Sequence, residues 1–187
     1  GSLRTSEAVA RVASRGLQAA LVCAIAFGAG LSSATPAAGA PPQRIVSLDL
    51  CTDQLLIELA PRRRIAAVTH LAADPSVSAI PAKARGLAVT RGAAEDVLRY
   101  DPDLVLAGPF GVGPTVDLLR RLERNVVVVP LPQDIEGVRV SVRTVAHAIG
   151  EDAQGEAMIA DFDRRLRRVA VHDGARPTAL VYQVGDV

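Results

Sequence analysis

RIVSLDLCTDQLLIELA, residues 44 to 60, is the stretch on which the fold turns. Arg44 to Leu48 is a short apolar run and reads as a strand. From Thr52 to Ala60, Leu55, Leu56 and Leu59 recur at helical spacing, and the run stops before Pro61. Between strand and helix lies a polar turn, Asp49-Leu50-Cys51-Thr52-Asp53. Three roles fit it: a cysteine nucleophile, a helix cap, or the floor of a ligand pocket.

The same alternation continues outward. Ile65 to Thr69 is a second strand, and a loop with Pro75 and Pro81 comes next. Ala84 to Thr90 reads as a weaker strand and Ala93 to Tyr100 as a short helix. Leu104 to Ala107 is a strand behind the turn Asp101-Pro102-Asp103, and Pro114 to Glu123 a helix with proline at a permitted first position. Asn125 to Val129 is a β-branched run, the pattern of a strand buried on both faces. Val138, Val142, Val145 and Ile149 mark one helix; Ile159, Phe162, Leu166 and Val169 mark a longer one; Thr178 to Tyr182 reads as a final strand. Strands alternating with helices predict an α/β fold, a parallel sheet sandwiched by helices. Ligands of such sheets bind outside the carboxyl ends of the strands. That rule puts the Asp49–Asp53 turn, the segment after Thr69 and the segment after Ala107 on one rim.

Residues 1–40 read differently. Arg4, Arg11 and Arg15 face one acid, Glu7; a short apolar run centres on Leu21 to Phe27; small residues close in Ala38-Gly39-Ala40. This is the pattern of a secretory signal peptide, with export to the periplasm expected. Gly28 and Gly30 interrupt the run, which is too short to span a bilayer. Removing those four charges from the totals of 21 and 20 leaves 18 basic and 19 acidic residues, no footprint for nucleic acid. Cys51 would then be the one cysteine, so no internal disulfide is expected. Tryptophan is absent and aromatics make up 3%, so the core is built from Val, Leu, Ile and Ala.

As an enzyme, the chain would be a secreted thiol hydrolase using Cys51 with His70 as base, the histidine nearest the rim in sequence. No cysteine-protease signature surrounds Cys51. The alternative reading has Asp49 or Thr52 cap the helix while Cys51 packs as a small apolar residue. The segment Gly108-Pro-Phe-Gly-Val-Gly-Pro114 matches neither nucleotide fingerprint, GxxxxGK[ST] or GxGxxG. It is read as a loop that lets a ligand approach backbone, with Phe110 as a stacking face. His70 and Asp74 are close in sequence, but His147 and His172 are far along the chain, which gives little support for a transition-metal site.

RIVSLDLCTDQLLIELAPRRRIAAVT, then GAAEDVLRYDPDLVLAG, then NVVVVP, together resemble the class III periplasmic solute-binding proteins of ABC importers, which serve vitamin B12, ferric siderophores and haem. The resemblance runs from about Arg44 to Tyr182. It implies a lobe over residues 41–150, a connecting helix over 151–171, and the start of a second lobe at 172–187. A second lobe is on the order of 100 residues, so a fragment, a truncated gene product or a damaged gene is expected. The resemblance implies a binding protein and no enzyme, a metal chelate or corrinoid as ligand, and an inner-membrane permease as partner. By position it assigns Asp49, Leu50, Cys51, Thr52, His70, Thr90, Arg91 and Phe110 to the cleft, and Glu95 to permease docking. A metal-ion-binding member of the same superfamily is the variant reading.

Overall fold

The structure, a computed structural model, describes residues 40–169 together with Thr178 and Leu180. The signal peptide expected over residues 1–40 lies, apart from Ala40, outside the described residues, as does, apart from Thr178 and Leu180, the strand expected at Thr178 to Tyr182.

The elements in chain order are β1 (Ile45–Ser47), α1 (Leu50–Leu59), β2 (Ile65–Thr69), α2 (Pro81–Ala84), β3 (Val89–Thr90), α3 (Ala94–Leu98), β4 (Leu104–Ala107), α4 (Gly113–Arg121), β5 (Val126–Val128), α5 (Ile135–Ile149) and α6 (Asp152–Leu166). Single 3-10 turns, Arg62–Arg64 and His70–Ala73, flank β2 on either side. The strands form one sheet in the order β3-β2-β1-β4-β5, and every pairing is parallel. The chain winds from β1 out to β3, then crosses back to β4 and on to β5. Right-handed crossovers in opposite directions put helices on opposite faces. The switch point lies between β1 and β4.

Side-chain alternation divides the core accordingly. Ile45, Val68, Leu104 and Leu106 pack with Leu56, Leu59, Val142, Val145, Ile149 and Ile159, which is the side of α1, α5 and α6. Val46, Ala67, Val105 and Ala107 point the other way, onto Val97, Val116 and Leu119 of α3 and α4. The central strands β1 and β4 are buried along their length.

Two expectations change. The Asn125 to Val129 run is only partly buried over β5, because among the described residues β5 is the outermost strand and has a neighbour on one side only. The strand expected from Ala84 shrinks to Val89–Thr90, because Pro81 starts a helical turn that ends at Ala84. The longer helix covers Asp152–Leu166 and buries Ile159, while Leu166 is exposed and Val169, expected to mark the helix, falls beyond its end and is exposed.

The amino ends of the strands are clamped by charges. Asp103 accepts hydrogen bonds from the backbone N–H groups of Gln43 (2.6 Å) and Arg44 (2.9 Å). Arg64, 4% exposed, donates to the carbonyls of Pro42 (2.6 Å) and Ile149 and pairs with Glu151 at 2.7 Å. Its guanidinium therefore joins β2 to the chain before β1 and to the α5–α6 turn. Beyond that turn Gly155 lies so close to α5 that a methyl group there would fall 2.5 Å from the Ala146 Cβ. Only glycine permits that approach.

Candidate ligand-binding site

The carboxyl ends of β1, β4 and β5 open onto a cavity of about 310 Å³. Asp49, Cys51, Thr52, Gln54 and Leu55 line it from the start of α1. Pro109 and Phe110 come from the loop after β4, and Val129 to Pro132 from the loop after β5. Val138, Ser141 and Val142 of α5 complete it. The lining is mostly apolar, and its mouth is edged by Phe110 (69% exposed) and Leu131 (50%). A mostly apolar concavity with a few polar groups is the usual character of a small-molecule site.

The helix cap is resolved in favour of Asp49. Its Oδ1 accepts from the backbone N–H of Cys51 (2.8 Å) and Thr52 (3.4 Å). A carboxylate there satisfies orphan amides and meets the positive end of the helix dipole. The Thr52 hydroxyl donates to the Asp49 carbonyl (3.0 Å) and shares a hydrogen bond with Ser47 Oγ (2.7 Å), so Thr52 is buried beneath the turn. Gly108 fits because it has no side chain: a Cβ would sit 2.6 Å from the Asp49 carboxyl carbon. The loop carrying Phe110 thus lies directly on the cap.

Cys51 is an exposed free thiol. Burial of part of the group and then the Asp49 carboxylate push its pKa up, the opposite of what a thiolate nucleophile needs. His70 is exposed, and no hydrogen bond joins it to Cys51 among the described residues. Among the described residues the geometry gives Cys51 no hydrogen-bonded base and no activation. Among the described residues, no group of three or more His, Cys, Asp or Glu is placed to hold a metal ion.

Of the residues expected in the cleft, Asp49, Cys51, Thr52 and Phe110 are brought together by this cavity. Leu50, His70, Thr90 and Arg91 do not line it. His70 and Arg91 are exposed at the carboxyl ends of β2 and β3, the other half of the rim. Thr90 is fully buried, and its hydroxyl donates to Asp96 Oδ2 (2.9 Å), which also accepts from the Arg91 backbone N–H (2.9 Å). Those bonds hold the Asp96 carboxyl below the usual range. Glu95, beside it in α3, is exposed. Sequence reasoning missed the Pro130-Leu131-Pro132 wall and the α5 side chains. The signal was available: a proline-flanked loop directly succeeds a strand whose carboxyl end must lie on the rim.

A family model described as "Periplasmic binding protein" matches residues 45–186, well over half of the chain. Among solved structures, the fold is similar to that of a periplasmic haem-binding protein from Pseudomonas aeruginosa (TM-score 0.56, 23% identity, covering 68% of this chain and 45% of that one). A possible iron-binding periplasmic solute-binding protein from Staphylococcus epidermidis gives a TM-score of 0.59 at 20% identity, over 71% of this chain and 53% of that one. The periplasmic vitamin B12 binding protein of Vibrio cholerae gives 0.55 at 20% identity, over 68% and 49%. The chain therefore spans about half the length of these structures. No curated protein matches the sequence. The sheet, its helical layers and the family match agree, and the family is one of binding proteins and not of enzymes: the chain belongs to the periplasmic binding protein family.

Proposed function

We propose that the chain is the substrate-binding component of an ABC importer, exported to the periplasm by residues 1–40, and that it takes a haem, cobalamin or ferric-siderophore type of ligand. One observation carries this reading: a mostly apolar cavity opens at the topological switch of a periplasmic-binding-protein fold, with an uncommitted aromatic, Phe110, at its mouth. A broad, largely apolar ligand gains by covering that surface. Phe110 offers a face for stacking on a planar macrocycle or chelate. Asp49 is committed to the helix cap, so its role is to shape the floor. The neighbours whose names mention haem, iron and vitamin B12 support the ligand class.

Residues 41–150 would form the lobe that carries this surface, 151–171 the connecting helix, and 172–187 the opening of a second lobe. Glu95 would meet an arginine of the permease. Its exposure in the first turn of α3 supports that role, since an interfacial carboxylate facing an arginine forms a charge-assisted pair. The test is titration of the complete gene product with haemin, cyanocobalamin and a ferric hydroxamate, read by absorbance and by equilibrium dialysis. Saturable binding of one of them, weakened roughly tenfold by Phe110→Ala, is the expected result. Failure of all three to bind overturns the ligand class. Permease reconstitution separates the docking role: Glu95→Ala should keep ligand affinity and lose transport.

A further inference from the structure

Beneath the rim lies a carboxylate that neither the cavity nor the cap uses. Asp53, in the first turn of α1, is 0% exposed. It reaches across to the last residue of β2. The Thr69 backbone N–H donates to both of its oxygens (3.1 and 3.2 Å), and the Thr69 hydroxyl donates to Oδ2 at 2.6 Å. Thr69 Oγ1 in turn accepts from the Leu71 N–H (3.2 Å), which caps the 3-10 turn His70–Ala73. One buried acid therefore ties the start of α1 to the end of β2, and through Thr69 to the turn that puts His70 on the rim.

We propose that Asp53 is a pH-sensitive latch: protonated, it holds the His70–Ala73 turn against α1, and ionisation loosens that turn at the edge of the binding rim. The burial of the charge explains how. A carboxylate only accepts, and the Thr69 hydroxyl and N–H both point their protons at it. Those bonds favour the anion, but sealing a charge away from water costs more than they return. Lifting the turn lets water reach the anion, so the ionised state favours opening, and neutralisation removes that drive.

Burial pushes the Asp53 carboxyl up to about 6, against the hydrogen bonds from Thr69 that favour the charged form. The change of state then falls between about pH 7 and pH 5. Among the described residues no ion pair reaches Asp53. β1 and β2 carry no charged residue. Asp49 stands beside the same turn and raises the value further; Cys51 shares the turn, and His70 lies on the 3-10 turn. Across from α1, α5 carries Glu136, Arg139, Arg143 and His147, but these pair with one another or with Asp163, Glu156 and Asp152 of α6.

The test is amide NMR of the full chain between pH 4.5 and 8. The Thr69 and Leu71 amides should show one inflection near pH 6, with protection of the Leu71 amide from exchange roughly tenfold higher at pH 5 than at pH 7.5. The inflection should survive His70→Gln and vanish in Asp53→Asn. An inflection that persists in Asp53→Asn, disappears in His70→Gln, or leaves Leu71 protection unchanged overturns the proposal, as does no inflection. Should Asp53→Asn fail to fold, Thr69→Val decides. Losing the hydroxyl that favours the anion must move the inflection of the residue 69 amide upward; an unchanged or lowered value overturns the latch.

Discussion

The two ends of the same sheet are built on opposite plans. At the amino ends, Arg64, Glu151 and Asp103 fasten the strands to each other, to the incoming chain and to the α5–α6 turn. At the carboxyl ends of β1, β4 and β5 the chain leaves apolar surface uncovered, with Phe110 and Leu131 at its edge. The difference separates holding from binding. Charged side chains that are all matched add definition without offering anything to a ligand, whereas unmatched apolar surface contributes its energy only when something covers it.

The largest expected effect falls on the fastened end. Arg64→Ala removes one partner of a partly buried pair and strands two carbonyls, which costs about 3–5 kcal/mol. Urea unfolding should show it; a midpoint like that of the parent would break the comparison. Next is Asp53, beneath the other end. Its folded value, about 6, lies above the ordinary carboxylate value of the unfolded chain, so the folded state holds the proton more tightly. Its contribution is complete below about pH 4 and is lost as pH rises through 6, a change of about 3 kcal/mol. Subtracting the pH profile of Asp53→Asn from that of the parent should isolate that slope, since Asp74, Asp96 and Glu156 are shifted the opposite way in both proteins.

Smaller effects sharpen the contrast. Gly108→Ala crowds the Asp49 cap and should cost about 1–3 kcal/mol while misplacing the loop of Phe110. Paired melting and ligand titration would reveal both losses, and neither occurring would refute the packing of that loop on the cap. Asp103→Ala deletes two exposed hydrogen bonds at the fastened end, for about 1 kcal/mol in melting and no change in ligand affinity. Phe110→Ala should be within about 0.5 kcal/mol of the parent in stability, because the ring is 69% exposed. Its whole effect should appear in binding; a clear drop in melting temperature would show that the ring is part of the core.

The strand–turn–helix of residues 44 to 60 was legible because its signals are local: an apolar run, a capping acid and leucines at helical spacing. So was the parallel sheet, since alternating strands and helices leave few other layers. Strand position was not local. A run of valines at 126–129 has the composition of a central strand, but only the order of strands makes β5 an edge among the described residues. Asp53 looked like any acidic residue in a first helical turn, because nothing in its neighbours announces that β2 will end against it. Likewise His70, Thr90 and Arg91 belong to the rim by chain order, yet sheet order puts them beyond β1, on the side away from the cavity. Phe110 reaches it because β4 is next to β1.

Gly155 has a mechanical consequence. Two helices in contact at backbone distance, with the turn between them gripped by Arg64, cannot slide or roll on one another without a collision. Together α5 and α6 behave as one stiff beam bolted to the sheet. The heading of the chain as it leaves α6 is therefore set by the sheet and by α5.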